Sequence, residues 1–368
     1  MEVWKNTKID ISIKFLFIMQ TPLVSVIIVG YNAKHFLPEC LGSLTKGTYK
    51  NIEILYIDNG STDGTSEYVN KYYPQIILIQ NSKNVGFSPA HEGILAKVKG
   101  DAVLLLNTDT IVEGNLLKEL VKVLYEKKDI GAVQPKILMY PEKDKIDSIG
   151  SFFLMNGILY HFGYEKDQNL KIYNKPMEIF STKGAIMLIK KDVLDKVSFP
   201  KYGNHKASIF DQDYFTAFED TDLCMRIWIA GYKILYVSST RGYHIGGGTV
   251  MKMIRSFIIF HGEKNRIATY IKNLSPKYLL KVIPRIIVIL QIEFLMYLII
   301  RRRIDLAFSI QKAILWNILH LKEILKKRYY VQTHIRVVDD ENFLPYLTKK
   351  VRLSYYYYLV IGLRGYKD

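Results

Sequence analysis

Between Leu23 and Asn107 the chain repeats one pattern: a short, continuous apolar run, a polar or glycine break, then a stretch of helical character. The runs are "LVSVIIVG", "IEILYI", "QIILIQ" and "AVLLL", with helices expected near 35–44, 65–73 and 88–100. A strand that is apolar at every position has both faces covered, and such strands joined by helices imply a parallel, doubly wound α/β sheet. Ligands of these sheets bind beyond the carboxyl ends of the strands. Asn32, Asp58, Asn84 and Asp109 each fall just past such an end. Distant parts of the chain are therefore expected to deliver polar side chains to one edge. No G-x-G-x-x-G follows the first run and no G-x-x-x-x-G-K-[ST] occurs, which disfavours a dehydrogenase-type dinucleotide fold and a P-loop.

The stretch 131–218 reads as mixed strands and loops. "GAIMLIKKDVLDKV" is expected to be a strand running into a short helix, and "EDTDLCMRIWIAG" a helix stopped by Gly231. "KILYVSSTRGYHIGGGT" is expected to be a strand entering a glycine-rich loop that holds His244.

Charge divides the chain. Of its net +16, residues from 250 onward carry 22 Lys/Arg against 8 Asp/Glu, and residues 1–249 carry 29 against 27. The basicity thus belongs to the last third and points to a polyanionic partner for it, a membrane surface or nucleic acid. The two cysteines, Cys40 and Cys224, form neither a disulfide framework nor a metal spacing, which fits a reducing cytoplasmic compartment. Residues 1–21 lack the cleavage pattern of a secretory signal and read as an extension ahead of the domain.

Several polar residues have two readings each. Asp58, in "YIDNGSTDGT", could accept the imide N–H of a uracil or thymine ring, or cap a turn. Asp109, in "LLLNTDT", could bind Mg²⁺ or Mn²⁺ at a diphosphate, or belong to a turn. Glu219, Asp220 and Asp222 stand at a helix start, where the dipole favours negative charge. That placement also suits a general base, and with about 100° between neighbours, Glu219 and Asp220 are not expected to face one substrate together. Asp222 and Arg226 are expected to pair on the helix surface. His244 could serve as a metal ligand or as a satisfied structural residue.

Together, "VSVIIVGYN", "YIDNGSTDGT", "NVGF", "LLLNTDT", "GAIMLIKKDVL", "FDQDYFTAFEDTDLCMR" and "YHIGGGT" resemble family 2 inverting glycosyltransferases of the GT-A fold, and most closely their rhamnosyltransferase-like branch. The resemblance covers residues 22–249. It implies a nucleoside diphosphate sugar donor, UDP- or dTDP-linked, with rhamnose among the candidate sugars. It further implies that Asp58 holds the nucleobase, that Asn84 and Gly86 line the nucleotide pocket, and that Asn107 and Asp109 occupy the D-x-D positions. Asp109 and His244 would hold Mg²⁺ or Mn²⁺, and Asp220 would be the catalytic base. Asn107 replaces the first acid of that motif, Pro89 and His91 stand where the branch has small residues and Asn, and "SFPKYGNHKASI" (198–209) reads as an insertion near the acceptor side.

The organisation expected is an extension over 1–21, a GT-A domain over 22–250, a basic amphipathic helical region over 251–330 and a tyrosine-rich tail over 331–368. Residues 304–328 form an amphipathic pattern: Asp305, Ser309, Lys312, His320, Glu323 and Lys327 make one stripe, and Ala307, Ile310, Ile314, Ile318, Leu321 and Leu325 the other. Residues 282–300 nearly have the length to span a bilayer, but Arg285, Gln291 and Glu293 favour lying in the membrane face or packing on protein. Related enzymes act on polyprenyl-diphosphate-linked sugars, so a lipid-linked or glycan acceptor and an anionic membrane surface on the cytoplasmic side are expected. A nucleotidyltransferase would need a basic phosphate loop after the first strand, where only Lys34 stands. A processive synthase would carry Q-x-x-R-W, which the sequence lacks. A nucleic-acid-binding protein conflicts with the near-neutral first two thirds, and no nucleic-acid partner is expected.

Overall fold

Four strands lie parallel because helices return the chain to the same edge each time. They are β1 (Val24–Gly30), β2 (Ile52–Asp58), β3 (Ile77–Gln80) and β4 (Ala102–Asn107), with α1 (Leu37–Thr45) and α2 (Thr65–Tyr72) between the first three. The computed structural model describes residues 21–201, 206–246, 254–361, 363 and 366. The expected extension before Thr21, the centre of the 198–209 insertion and the glycines after Gly246 lie outside the described residues. The expected helix over 88–100 is instead a single turn at Phe87–Ala90 and a tighter turn at Ile94–Ala96. Gly93, at φ +70°, takes the left-handed conformation that ends a helix.

Beyond β4 come β5 (Thr110–Val112), α3 (Leu116–Leu124) and β6 (Ile130–Met139). The chain then builds β7 (Ile146–Ser148), a hairpin of β8 (Ser151–Phe153) and β9 (Leu159–His161), and β10 (Met177–Glu178) before returning as β11 (Ile186–Lys190). α4 (Lys191–Val197), α5 (Glu219–Ile229) and β12 (Lys233–His244) complete the domain. The sheet order is β10-β12-β6-β11-β4-β1-β2-β3. The expected parallel pairing of β1 to β4 is present, and β11, from the stretch read as mixed, inserts antiparallel to both β4 and β6. The reversal places Lys183 and Gly184, which lead into β11, at the edge where β4 ends.

Side chains alternate across the sheet. Ile27, Leu55 and Leu105 join α5's Leu223 and Ile227 on one face. Val26, Ile28 and Leu104 join Leu41 of α1 and Leu120 of α3 on the other. The Asp222–Arg226 pair forms at 3.0 Å but is fully buried rather than on the surface. Arg226 also donates to the carbonyls of Val197 and Ile209, so α5 is pinned from three sides.

A helical layer follows: α6 (Arg255–Asn273), α7 (Pro276–Leu295, continued by a wider turn to Ile300), α8 (Ile304–Leu319), α9 (Leu321–Tyr330) and, further on, α10 (Leu353–Ile361). The single amphipathic helix expected over 304–328 breaks at His320. Its two stripes are also redistributed. Ala307 and Ile310 pack inward, whereas Ile318, Leu321 and Leu325 are exposed. From the polar stripe, Ser309 is buried, and Lys327 is paired with Asp211 and Asp213. The break turns the face of α9 relative to α8, so one stripe cannot serve both. Pro276–Ile300 is long and apolar enough to cross a membrane by length and composition.

Candidate active site

The carboxyl edge of the sheet opens into a cleft of about 300 Å³. Seven of the residues singled out in the sequence line it: Asn84, Gly86, Asn107, Asp109, Glu219, Asp220 and His244. Asp109 sits in the turn between β4 and β5, closed by the Thr110 hydroxyl donating to the Asn107 carbonyl at 2.6 Å. β5 pairs antiparallel with the end of β12, setting His244 opposite Thr110. That register brings His244 Nε2 to 3.4 Å from Asp109 Oδ1.

His244 is held from its other side. Its Nδ1 lies 2.8 Å from Asp147 Oδ2, and Asp147 Oδ1 accepts Lys183 Nζ at 2.5 Å. Burial depresses a histidine pKa, but the Asp109 and Asp147 carboxylates outweigh it and raise that of His244. Asp147 moves the other way: burial would raise it, and His244 and Lys183 hold it below the usual carboxylate range. His244 bridges the two carboxylates; with a metal bound, donation of Nδ1–H to Asp147 would leave Nε2 to ligate beside Asp109. One carboxylate and one imidazole fit a Mg²⁺ or Mn²⁺ ion that takes its remaining ligands from water and diphosphate oxygens. Among the described residues no group of three or more His, Cys, Asp or Glu side chains forms a closed metal cage.

Glu219 and Asp220 both line the cleft, which corrects the expectation that they face apart. They occupy the first turn of α5, where side chains splay around the helix end, and Phe218 before them is left-handed at φ +69°. The two carboxylates differ in their partners. Asp220 Oδ2 accepts the Gly184 amide at 2.9 Å, and its Oδ1 accepts the Thr221 amide at 2.7 Å. Glu219 Oε2 is buried without a hydrogen bond among the described residues. Burial raises both pKa values, and for Glu219, pushed to about 8, the neighbouring Asp220 adds to it. The two amide donors of Asp220 favour its charged form against the effect of burial.

Asp58 ends β2 but is not among the residues lining the cleft. Its Oδ1 accepts the Ser61 amide at 2.9 Å and its Oδ2 the Ser66 hydroxyl, so it shapes the turn into α2. Each oxygen keeps a second acceptor position. Asn59, beside it, does line the cleft. Its Nδ2 donates to Asn84 Oδ1 at 2.9 Å and to the Gly86 carbonyl at 3.1 Å, clamping the "NVGF" loop to β2. Gly86 itself, at φ +98°, lies where a Cβ would stand 2.6 Å from the Phe215 ring. Only glycine lets this loop meet the segment that leads into α5.

Asn59, Asp147 and Lys183 are thus site residues that the sequence reading did not select, and Glu219 is one it weighed beside Asp220 without assigning it a role. Asn59 was legible beside Asp58. Asp147 lies 97 residues from the histidine it orients, and no local pattern marks it.

Comparison with known proteins agrees with this geometry. Residues 25–197 match the family model described as Glycosyl transferase family 2. An uncharacterized glycosyltransferase of Haemophilus influenzae is 25% identical over 90% of this chain and 97% of its own length. The N-acetylglucosaminyl-diphospho-decaprenol L-rhamnosyltransferase of Mycobacterium tuberculosis is 26% identical over 61% of this chain and 76% of its own. In fold, the chain resembles GalNAc-T7 solved with UDP, GalNAc and Mn²⁺, at a TM-score of 0.53 and 17% identity, covering 71% of this chain and 49% of that one. It also resembles S. aureus TarS 1–349 solved with UDP-GlcNAc, at a TM-score of 0.52 and 14% identity, covering 85% and 88%.

Proposed function

From the premise that this chain is a family 2 glycosyltransferase of GT-A fold, we propose that it transfers one sugar, with inversion, from a UDP- or dTDP-linked donor to a hydroxyl of a lipid-linked or glycan acceptor. The observation that carries this reading is the meeting of Asn84, Asn107, Asp109, His244 and Asp220 in one cleft at the carboxyl edge of the sheet. The donor nucleotide lies along the β1–β4 edge. Asp58 meets the base imide with its remaining acceptor positions, and Asn59 and Asn84 hold the loop that encloses it. Asp109 and His244 would hold Mg²⁺ or Mn²⁺, which would supply stabilisation of charge on the departing diphosphate. Asp147 fixes the His244 tautomer for that task. Asp220, oriented by the Gly184 and Thr221 amides, takes the proton of the acceptor hydroxyl as it attacks in line.

The acceptor side is read from the relative that acts on a decaprenol-linked sugar by its name and from the apolar helices. Leu280, Val288, Ile292, Ile299 and Ile318 present an exposed apolar surface, with Arg301–Arg303 between α7 and α8. Such a surface lies in the headgroup region of an anionic membrane. The enzyme then works at the cytoplasmic face of the membrane, in building cell-surface polysaccharide or glycoconjugate.

A thermal-shift panel of uridine, thymidine and guanosine diphosphate sugars, with and without Mn²⁺, tests the donor assignment. A ligand at about 100 times its Kd stabilises by about 2.7 kcal/mol. We expect that gain only with a uridine or thymidine donor and only with the metal. A guanosine preference overturns the Asp58 role, and indifference to the metal overturns that of Asp109 and His244.

A further inference from the structure

A second cavity, about 220 Å³, meets the first at Lys183 and Asp220. Asn84, Asn107 and Asp109 line only the first, and Ser151, His161 and Tyr164 line only the second. A base for in-line displacement must touch the incoming hydroxyl, which approaches away from the leaving diphosphate. The cavity that shares the base but none of those donor-side residues is where that hydroxyl belongs.

Its lining describes the occupant. The fixed charges of Asp147 and Lys183 pair with each other at 2.5 Å. Apart from the base Asp220, what remains polar is the hydroxyls of Ser148, Ser151, Tyr164, Thr182 and Thr221 and the His161 imidazole, which with a carboxylate beside them suits an uncharged, hydroxyl-rich ligand better than a phosphate. The volume lies below the roughly 300–1,000 Å³ of pockets for drug-sized ligands, so it takes one ring rather than a chain of them. Its wall continues to the apolar layer. The β8–β9 hairpin that supplies Ser151 and His161 is tied at its tip to α6, where the Tyr270 hydroxyl donates to the Gly157 carbonyl at 3.0 Å. Arg285 of α7 donates to the Met155 carbonyl at 3.2 Å. From the other side, the Tyr355 hydroxyl of α10 donates to the Leu159 carbonyl at 3.1 Å.

Resting on the transferase reading above, we propose that this cavity binds the terminal uncharged pyranose of the acceptor, selected by Ser151, His161 and Tyr164. The helices that meet the membrane hold its wall, so a membrane-borne acceptor presents its sugar directly to Asp220.

The test uses the full chain, the donor found by thermal shift, and n-octyl glycosides of a hexose, a 6-deoxyhexose and an N-acetylhexosamine. We expect at least one to be glycosylated. His161→Ala and Tyr164→Phe should each raise its KM at least tenfold, with donor KM changed less than twofold and His161→Gln recovering part of the loss. Circular dichroism and melting temperature identify a variant that fails to fold, and the remaining variants then decide. Unchanged acceptor KM in the folded variants overturns the site, as does donor hydrolysis without transfer to any of the three glycosides. A wild-type chain that neither binds nor cleaves any donor overturns the transferase reading itself, and the site with it.

Discussion

The sheet domain and the helical layer differ in what they leave outside: the helical layer buries apolar and polar side chains together and exposes a row of large apolar ones. Around the sheet, Val26, Ile27, Leu104, Leu105 and Ile189 are inside. In the helical layer, Lys264, Asn265, Lys272, Asn273 and Asn317 are inside, whereas Leu280, Val288, Ile292, Ile299 and Leu319 face out. Lys272 and Lys327 both pair with Asp211, and Lys272 also reaches Asp222 of α5 at 3.0 Å. Gln291 of α7 turns to Gln311 of α8 at 2.9 Å. Polar pairs, together with apolar packing of Ile267, Leu274, Val282 and Ile286 into the core that holds Ile27 and Leu223, join the layer to the sheet domain, and further apolar residues face out.

The comparison can be broken at several points. The largest effect is expected in the sheet domain. Asp220→Asn should cut transfer by roughly 10²–10⁴-fold, the share that a positioned base supplies, while donor binding by calorimetry stays nearly constant. Retained turnover would move the base elsewhere. At the seam with the helical layer, Asp211→Ala removes the buried carboxylate that Lys272 and Lys327 share, leaves each a single acidic partner, and should destabilise by up to about 3–5 kcal/mol in denaturant melts. A loss near zero would mean that polar pairing does not hold the layer in place.

The outer face should respond to lipid instead. Val288→Glu with Ile292→Glu should reduce flotation with anionic vesicles at least tenfold, given roughly 1.5–3 kcal/mol for each large apolar side chain buried. Its melting temperature in detergent should barely move. Equal flotation would assign that face to another partner.

The smallest effect concerns Glu219. Its pKa is raised from 4.5 to about 8, so the folded state grips this proton more tightly than the unfolded state. Stability from this group is therefore full below about pH 4.5 and is lost as pH rises towards 8. Glu219→Gln should match the wild type near pH 4 and exceed it by about 1–2 kcal/mol at pH 8.5. A pH-independent difference would show that Glu219 carries no shifted proton.

Much of the sheet was legible because its signal is local. Continuous apolar runs ending in Gly30, Asp58 and Asn107 mark strands covered on both faces, whatever surrounds them. Helix ends were less so. Residues 88–100 carry helical spacing, but Gly93 closes against Lys206, and that contact is not written in the window. The amphipathic reading of 304–328 assumed one straight helix with one partner. α8 instead packs against α6 and α7, and the break at His320 gives α9 a different face.

The sequence by itself determined that Asn84, Asp109, Asp220 and His244 follow strands or open a helix, because apolar periodicity and turn residues act over a few positions. Tertiary structure alone decided how those side chains meet. The reversal of β11 brought Lys183 beside Asp147, and the β5–β12 register set His244 against Asp109. It also turned Asp58 into the α2 turn and placed Glu219 in the cleft with Asp220. Such pairings form between groups tens of residues apart, and their energies depend on distance and burial, which exist only once the chain has folded.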